Sequence, residues 1–136
     1  MRFEEILLDA TPFFLSKNFA IAERYNNYIR YESQVTSLSI SFNERENTLI
    51  IFVGIKGKQM TELSQKVLNE FFSENIILED NKSFSKNLIH FLLHKGNAII
   101  NDDLNILTKL EAFNSKLAKE YTDAIIRAQN LRGRPK

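Results

Sequence analysis

The chain contains no cysteine, and only four of its 136 residues are glycine and two are proline. Without cysteine there is no disulfide framework, no thiolate nucleophile and no zinc–cysteine site. The four glycines, Gly54, Gly57, Gly96 and Gly133, form no P-loop, dinucleotide fingerprint or GxSxG elbow. Charge of one sign is also lacking, because 18 Lys and Arg meet 17 Asp and Glu for a net charge of +1. That balance gives no global electrostatic case for nucleic acid and lacks the acidity of a nucleic-acid mimic. No apolar run approaches the ~20 residues that a membrane span needs. The N-terminus, MRFEEILLDA, places Glu4 and Glu5 where a secretory leader would be apolar. The expectation is a cytoplasmic protein with no membrane segment and no cofactor.

What is present is ordinary globular material. Hydrophobic residues make up 43% and charged residues 26%, enough for one domain with a sizeable core. Neither repeats nor low-complexity segments interrupt it.

The most apolar stretch runs from Val35 to Gly57 and reads as a central β-hairpin. Thr36, Leu38, Ile40 and Phe42 alternate with Ser37, Ser39 and Ser41, the period of a half-buried strand. The polar Asn43–Asn47 segment suits a turn. Leu49 to Ile55 is apolar at nearly every position, and its β-branched residues favour strand. A two-residue loop at Glu44-Arg45 would pair Ile40 with Leu49, Leu38 with Ile51 and Thr36 with Val53. It gathers the apolar residues on one face, and a one-residue slip would break that arrangement. The same register puts Ile50 beside Ser39 and Phe52 beside Ser37. Two large apolar residues among serines need a cover, either a helix of the same chain or a partner.

The remaining chain supplies an α+β domain: an N-terminal helix, a four-stranded antiparallel meander, then three helices packed on the sheet. Phe3, Ile6, Leu7 and Ala10 share a helical stripe that reaches about Ser16, with a kink at Pro12. Phe19–Tyr25 and Tyr28–Ser33 read as strands joined by a tight Asn26-Asn27 turn. Thr61 is the expected cap of a helix to Phe72, and Ser83 the cap of one stopped by Gly96. Asn101 is the expected cap of the last helix, with Asp102 and Asp103 in its first turn. Leu104, Leu107, Leu110, Phe113, Leu117, Tyr121 and Ala124 form its stripe, with Asn114 at the edge. Residues 1–131 are expected to form the domain and residues 132–136 a flexible basic tail.

No constellation names a reaction. His90 and His94 are four apart on a helix and share a face, but HExxH is absent and no third ligand is evident, so no metal site is assigned. Glu44 and Glu46, and Glu79 with Asp80, are carboxylate pairs with no geometry fixed. Tyr25, Tyr28 and Tyr31, with Arg24 and Arg30, carry the residue types favoured at protein interfaces; equally, the rings could half-cover the sheet.

Two resemblances add to this. Val53–Leu63, VGIKGKQMTEL, resembles the GXXG segment of KH domains, which implies contact with a nucleotide backbone at the Gly54–Gly57 loop. A KH loop joins two helices, whereas a strand-like LIIFV leads into this one. YIRYESQVTSLSISFNERENTLIIFVGIKG resembles small bacterial proteins of unknown function, some grouped with immunity proteins of toxin systems. That resemblance implies a partner-binding role and carries no catalytic signature.

The leading expectation is a small protein-binding module, an immunity or accessory factor or a homodimer. Its candidate contacts are Tyr28, Arg30, Ser37, Ser39, Ile50 and Phe52. The alternative is a nucleic-acid-binding accessory protein using Lys56, Lys58, Arg132 and Arg134. An enzyme with a site assembled from scattered residues is the third class.

Overall fold

An N-terminal helix, α1 (Phe3–Ser16), leads into five strands in the computed structural model, which describes residues 2–78 and 83–132. The strands are β1 (Ala20–Tyr25), β2 (Tyr28–Glu32), β3 (Thr36–Asn43), β4 (Thr48–Ile55) and β5 (Thr61–Glu62). They form one antiparallel sheet in the order β1-β2-β3-β4-β5. Four helices follow: α2 (Gln65–Glu70), α3 (Phe84–Leu93), α4 (Asn97–Ile100) and α5 (Leu104–Arg132). The α+β class and the meander agree with the sequence expectation. Among the described residues the strands number five rather than four, and the helices after the sheet four rather than three.

The extra strand comes at the expense of the expected Thr61–Phe72 helix. Thr61 lies in β5 opposite Val53, and the Leu63 amide donates to the Ile51 carbonyl at 2.8 Å. The cap of α2 is therefore Ser64, whose hydroxyl accepts from the Val67 amide at 3.2 Å. Similarly, Asp103 rather than Asn101 caps α5, its carboxylate accepting from the Ile106 amide at 3.2 Å. Asn101 ends the short helix α4.

The central hairpin keeps its faces but moves its register by two residues. Ile40 lies opposite Ile51, Leu38 opposite Val53, Thr36 opposite Ile55 and Phe42 opposite Leu49. The loop is longer than two residues because Asn43 accepts from the Glu46 amide at 3.2 Å and Asn47 takes φ 55°. A shift of two leaves each side chain on its original face, which is why the apolar pattern does not distinguish the two registers. On the other face the neighbours change: Phe52 is beside Ser39 and Ile50 beside Ser41.

All of the large core contacts lie on the inner face of the sheet. Phe14 stacks on Tyr31 with ring centres 4.5 Å apart, and Phe3 stacks on Phe42 at 6.4 Å. These rings set α1 across β2 and β3. The Tyr31 hydroxyl lies 2.6 Å from Thr11 Oγ1, so the buried phenol keeps a hydrogen-bond partner. Ser85 donates to the Ile6 carbonyl at 3.3 Å, bringing α3 alongside α1. Phe72 meets Phe91 edge-on at 5.1 Å, and Phe71 meets Phe113 at 5.5 Å. These contacts join the end of α2 to α3 and α5. Leu107 and Leu110 of α5 are fully buried in the same cluster.

One residue ties the helical layer to the sheet, and another sets the packing within that layer. Asp102, with φ 54°, accepts from the hydroxyls of Ser33 and Thr36, the latter at 2.7 Å. It pins the start of α5 to the β2–β3 connection. Gly96 sits against the Phe91 ring, where an added Cβ would lie 2.5 Å from a ring carbon. Its backbone φ is not left-handed, so the requirement there is for space.

Asp102→Ala removes the acceptor of the Ser33 and Thr36 hydroxyls and places alanine at positive φ. It is expected to cost about 2–3 kcal/mol by denaturant titration, with Asp102→Asn costing less. Gly96→Ala must displace a fully buried ring and is expected to lower stability by about 1–3 kcal/mol, read in the same titration. A neutral result at either position would contradict the corresponding contact.

Candidate protein-contact face

Alternation along the strands sends a second set of side chains to the outer face. From β2 it takes Tyr28, Arg30 and Glu32, from β3 Ser37, Ser39 and Ser41, and from β4 Ile50, Phe52 and Gly54. The helix-to-sheet ring contacts of Phe3, Phe14, Phe42 and Tyr31 all lie on the other side. Neither Ile50 nor Phe52 belongs to the contiguous core. Ile50 is 38% exposed and Phe52 is half-buried. The cover that the sequence demanded on this face is therefore not a helix of the described chain.

The register brings all six sequence-selected residues into three adjacent rows. Arg30 lies opposite Ser39, which lies opposite Phe52, and Glu32, Ser37 and Gly54 form the next row. Tyr28 and Ile50 flank Ser41 in the row on the other side. Ser37 and Ser39 are only 3% exposed, however. They lie low between longer neighbours and form the floor of the face, so they present no hydroxyls to a partner. At one corner the backbone of Gln59 and Met60 folds over Gly54, where an added Cβ would sit 3.1 Å from both.

Arg30 is the electrostatic centre. Its Nε and Nη2 donate to Glu23 Oε1 at 2.9 and 2.6 Å, and its Nη1 lies 2.6 Å from Glu32 Oε2. Glu23 also accepts from the Tyr25 hydroxyl at 2.8 Å. Tyr25 in turn stacks on Tyr28, ring centres 5.9 Å apart. The guanidinium beside Glu23 holds its carboxyl below the ordinary value, with the Tyr25 hydrogen bond adding to the effect. The same pair raises Arg30, and the carboxylate pushes the Tyr25 phenol up. Arg30 thus arrives with two carboxylates already attached. Sequence reasoning missed Glu23 because a bulge between Ile21 and Glu23 decides which β1 residue faces Arg30, and it missed Glu32 although that residue shares the face two positions along β2. Tyr31 leaves the tyrosine cluster altogether and is buried on the inner face.

Of the residues of the nucleic-acid alternative, Lys56 and Lys58 share one turn, and Arg132 lies at the far end of α5. Lys56 and Lys58 are exposed at the β4–β5 turn, with Gly57 at φ 82° and the Lys58 amide donating to the Ile55 carbonyl at 2.9 Å. The Gly54–Gly57 segment joins two strands, so the helix–loop–helix setting of a KH loop is absent. Lys56 bonds to Val35, next to the Asp102 anchor at the start of α5. Arg127 lies about 35 Å further along that helix at 1.5 Å per residue, and Arg132 lies further still. Arg134 and the remaining tail residues lie outside the described residues, as does the Glu79-Asp80 pair. The rings of His90 and His94 are 4.2 Å apart, and His94 Nδ1 lies 2.7 Å from the His90 carbonyl oxygen. Among the described residues no group of three metal-ligating side chains forms, and no helix is long and apolar enough to cross a membrane.

Comparison with protein-family models, curated proteins and solved structures finds no match for the chain.

The Glu23 carboxylate is expected to titrate below a free glutamate when followed by carboxyl carbon chemical shift. Because its folded value is depressed, its contribution to stability is present above the unfolded value and is lost as pH falls through the folded one. Arg30→Ala should return the midpoint toward the ordinary range. A midpoint unchanged by Arg30→Ala would contradict the clamp.

Proposed function

We propose that the chain is a protein-binding module that contacts its partner through the outer face of the sheet. It acts as an accessory or immunity-type factor and performs no catalysis itself. The carrying observation is the pair Ile50 and Phe52, left half-exposed on a sheet face that none of the described helices covers. Beside them stand the stacked rings of Tyr25 and Tyr28, so apolar and aromatic groups are gathered in one place. Tyrosine and arginine are favoured where proteins meet.

The electrostatics favour a protein over a phosphate backbone. Arg30 carries Glu23 and Glu32, so the arginine at the centre of this face is already paired and is not free for a phosphate. A peptide or protein surface can be met instead by the tyrosine rings and the carboxylate edges. Tyr25, Tyr28, Arg30, Ile50 and Phe52 are the residues that would touch the partner, with Ser37 and Ser39 beneath them.

The test is affinity capture of the tagged chain from its native lysate, with and without nuclease, comparing wild type with Ile50→Asp and Lys56→Glu. A stoichiometric protein that survives nuclease is expected, reduced about tenfold or more by Ile50→Asp and unchanged by Lys56→Glu. Ile50 is already exposed, so the variant should keep its melting temperature. A partner lost with nuclease or with Lys56→Glu, and indifferent to Ile50→Asp, would overturn the proposal in favour of nucleic acid.

A further inference from the structure

α5 continues well past the domain that anchors it. Its Leu107 and Leu110 are buried in the core. The same alternation of three- and four-residue steps then runs through Asn114, Leu117, Tyr121, Ala124, Ala128 and Leu131. Asn114 and Leu117 are half-buried, and every residue from Ala118 to Leu131 is exposed, Tyr121 at 71% and Leu131 at 77%. A stripe that repeats every 3.5 residues is the seam of a helix pair. Here the domain covers the first part of the seam and leaves the rest open. Helical stability in proteins comes mostly from packing an apolar face, so the outer half of α5 gains from a partner.

We propose that this outer half pairs antiparallel with the same helix of a second copy, about a two-fold axis between Tyr121 and Ala124. Side-chain size selects the arrangement. Antiparallel pairing sets Leu117 against the second copy's Ala128 and Tyr121 against its Ala124. On one flank Ile125, itself 39% exposed, meets the second copy's Ala118. In these three contacts a large residue falls on a small one, and the two-fold repeats each contact. Parallel pairing would set Tyr121 on Tyr121 and Ala124 on Ala124, crowding one layer and emptying the next.

Charge selects the same arrangement. Glu120 and Arg127 lie on the other flank of the seam and form no ion pair among the described residues. Arg127 donates only to the Asp123 carbonyl of its own helix, at 3.4 Å. In the antiparallel pair Glu120 faces the second copy's Arg127, and the symmetry makes that contact twice. Ile126 lies on the far side of the helix and takes no part. This interface is separate from the outer sheet face, so the two can be tested independently.

Sedimentation velocity from about 1 to 300 μM should show a monomer–dimer equilibrium within a micromolar range typical of small interfaces. Ala124→Glu, at an exposed helical position, should weaken the dimer by about tenfold or more without changing the far-ultraviolet circular dichroism. Glu120→Arg should weaken it through like charge, and adding Arg127→Glu should restore it. The absence of native cysteine permits a direct reading of direction. A mixture of Leu117→Cys and Ala128→Cys chains should form mixed disulfide-linked dimers on oxidation. A chain that stays monomeric across the range would overturn the proposal. So would a dimer indifferent to Ala124→Glu, or Ala128→Cys chains that link only to themselves.

Discussion

The structure depends on one constraint: the alternation of side chains along β2, β3 and β4, in a sheet whose ring contacts with the helices lie on one side. Once Leu38, Ile40, Ile51 and Val53 are committed to the inner face, every intervening residue must point the other way. The inner set is sealed by α1 through two ring stacks and by the helical layer beyond it. The outer set receives no such layer. Its partial burial comes from neighbours on the sheet itself, with Arg30 and Phe52 flanking Ser39 and Glu32 flanking Ser37.

That asymmetry also explains how the electrostatics are arranged. A lone arginine on an open sheet face would be a sink for any anion. Here the bulge in β1 places Glu23 opposite Arg30, and Glu32 stands two residues along the same strand. The cation is satisfied within the sheet and becomes a rigid, planar element, because both carboxylates hold its fork. The tyrosines beside it are tied in by the Tyr25 to Glu23 hydrogen bond. The face therefore combines fixed polar geometry with half-exposed Ile50 and Phe52, a mixture suited to recognising a shaped protein surface.

Much of this was legible in the sequence. The period-two pattern of Leu38, Ile40 and Phe42 placed the central hairpin and both its faces. The three-four stripe of α5 placed the last helix almost to its end. What escaped was set by local hydrogen bonds that no periodicity reports. The Asn43 side chain and the left-handed Asn47 lengthen the hairpin loop, moving the register by two residues at no cost to the apolar pattern. Thr61 pairs with Val53 instead of starting a helix, because the free edge of β4 offers it a partner. Asp102 leaves the first turn of α5 to bind Ser33 and Thr36, so the cap passes to Asp103. Among the candidate contacts, the identities of Tyr28, Arg30, Ile50 and Phe52 follow from alternation alone. The burial of Ser37 and Ser39 does not, since it depends on how large their cross-strand neighbours are.

The central claim, an uncovered outer face, is tested most directly by adjacent residues that alternation sends to opposite sides. Ile50 and Ile51 are such a pair, 38% and 3% exposed. Methyl-labelled protein can be titrated with a soluble paramagnetic probe while the two δ-methyl signals are followed. Strong relaxation enhancement at Ile50 with little at Ile51 is the predicted result. Equal protection of both methyls would mean that the outer face is covered, and the proposed contact surface would lose its basis.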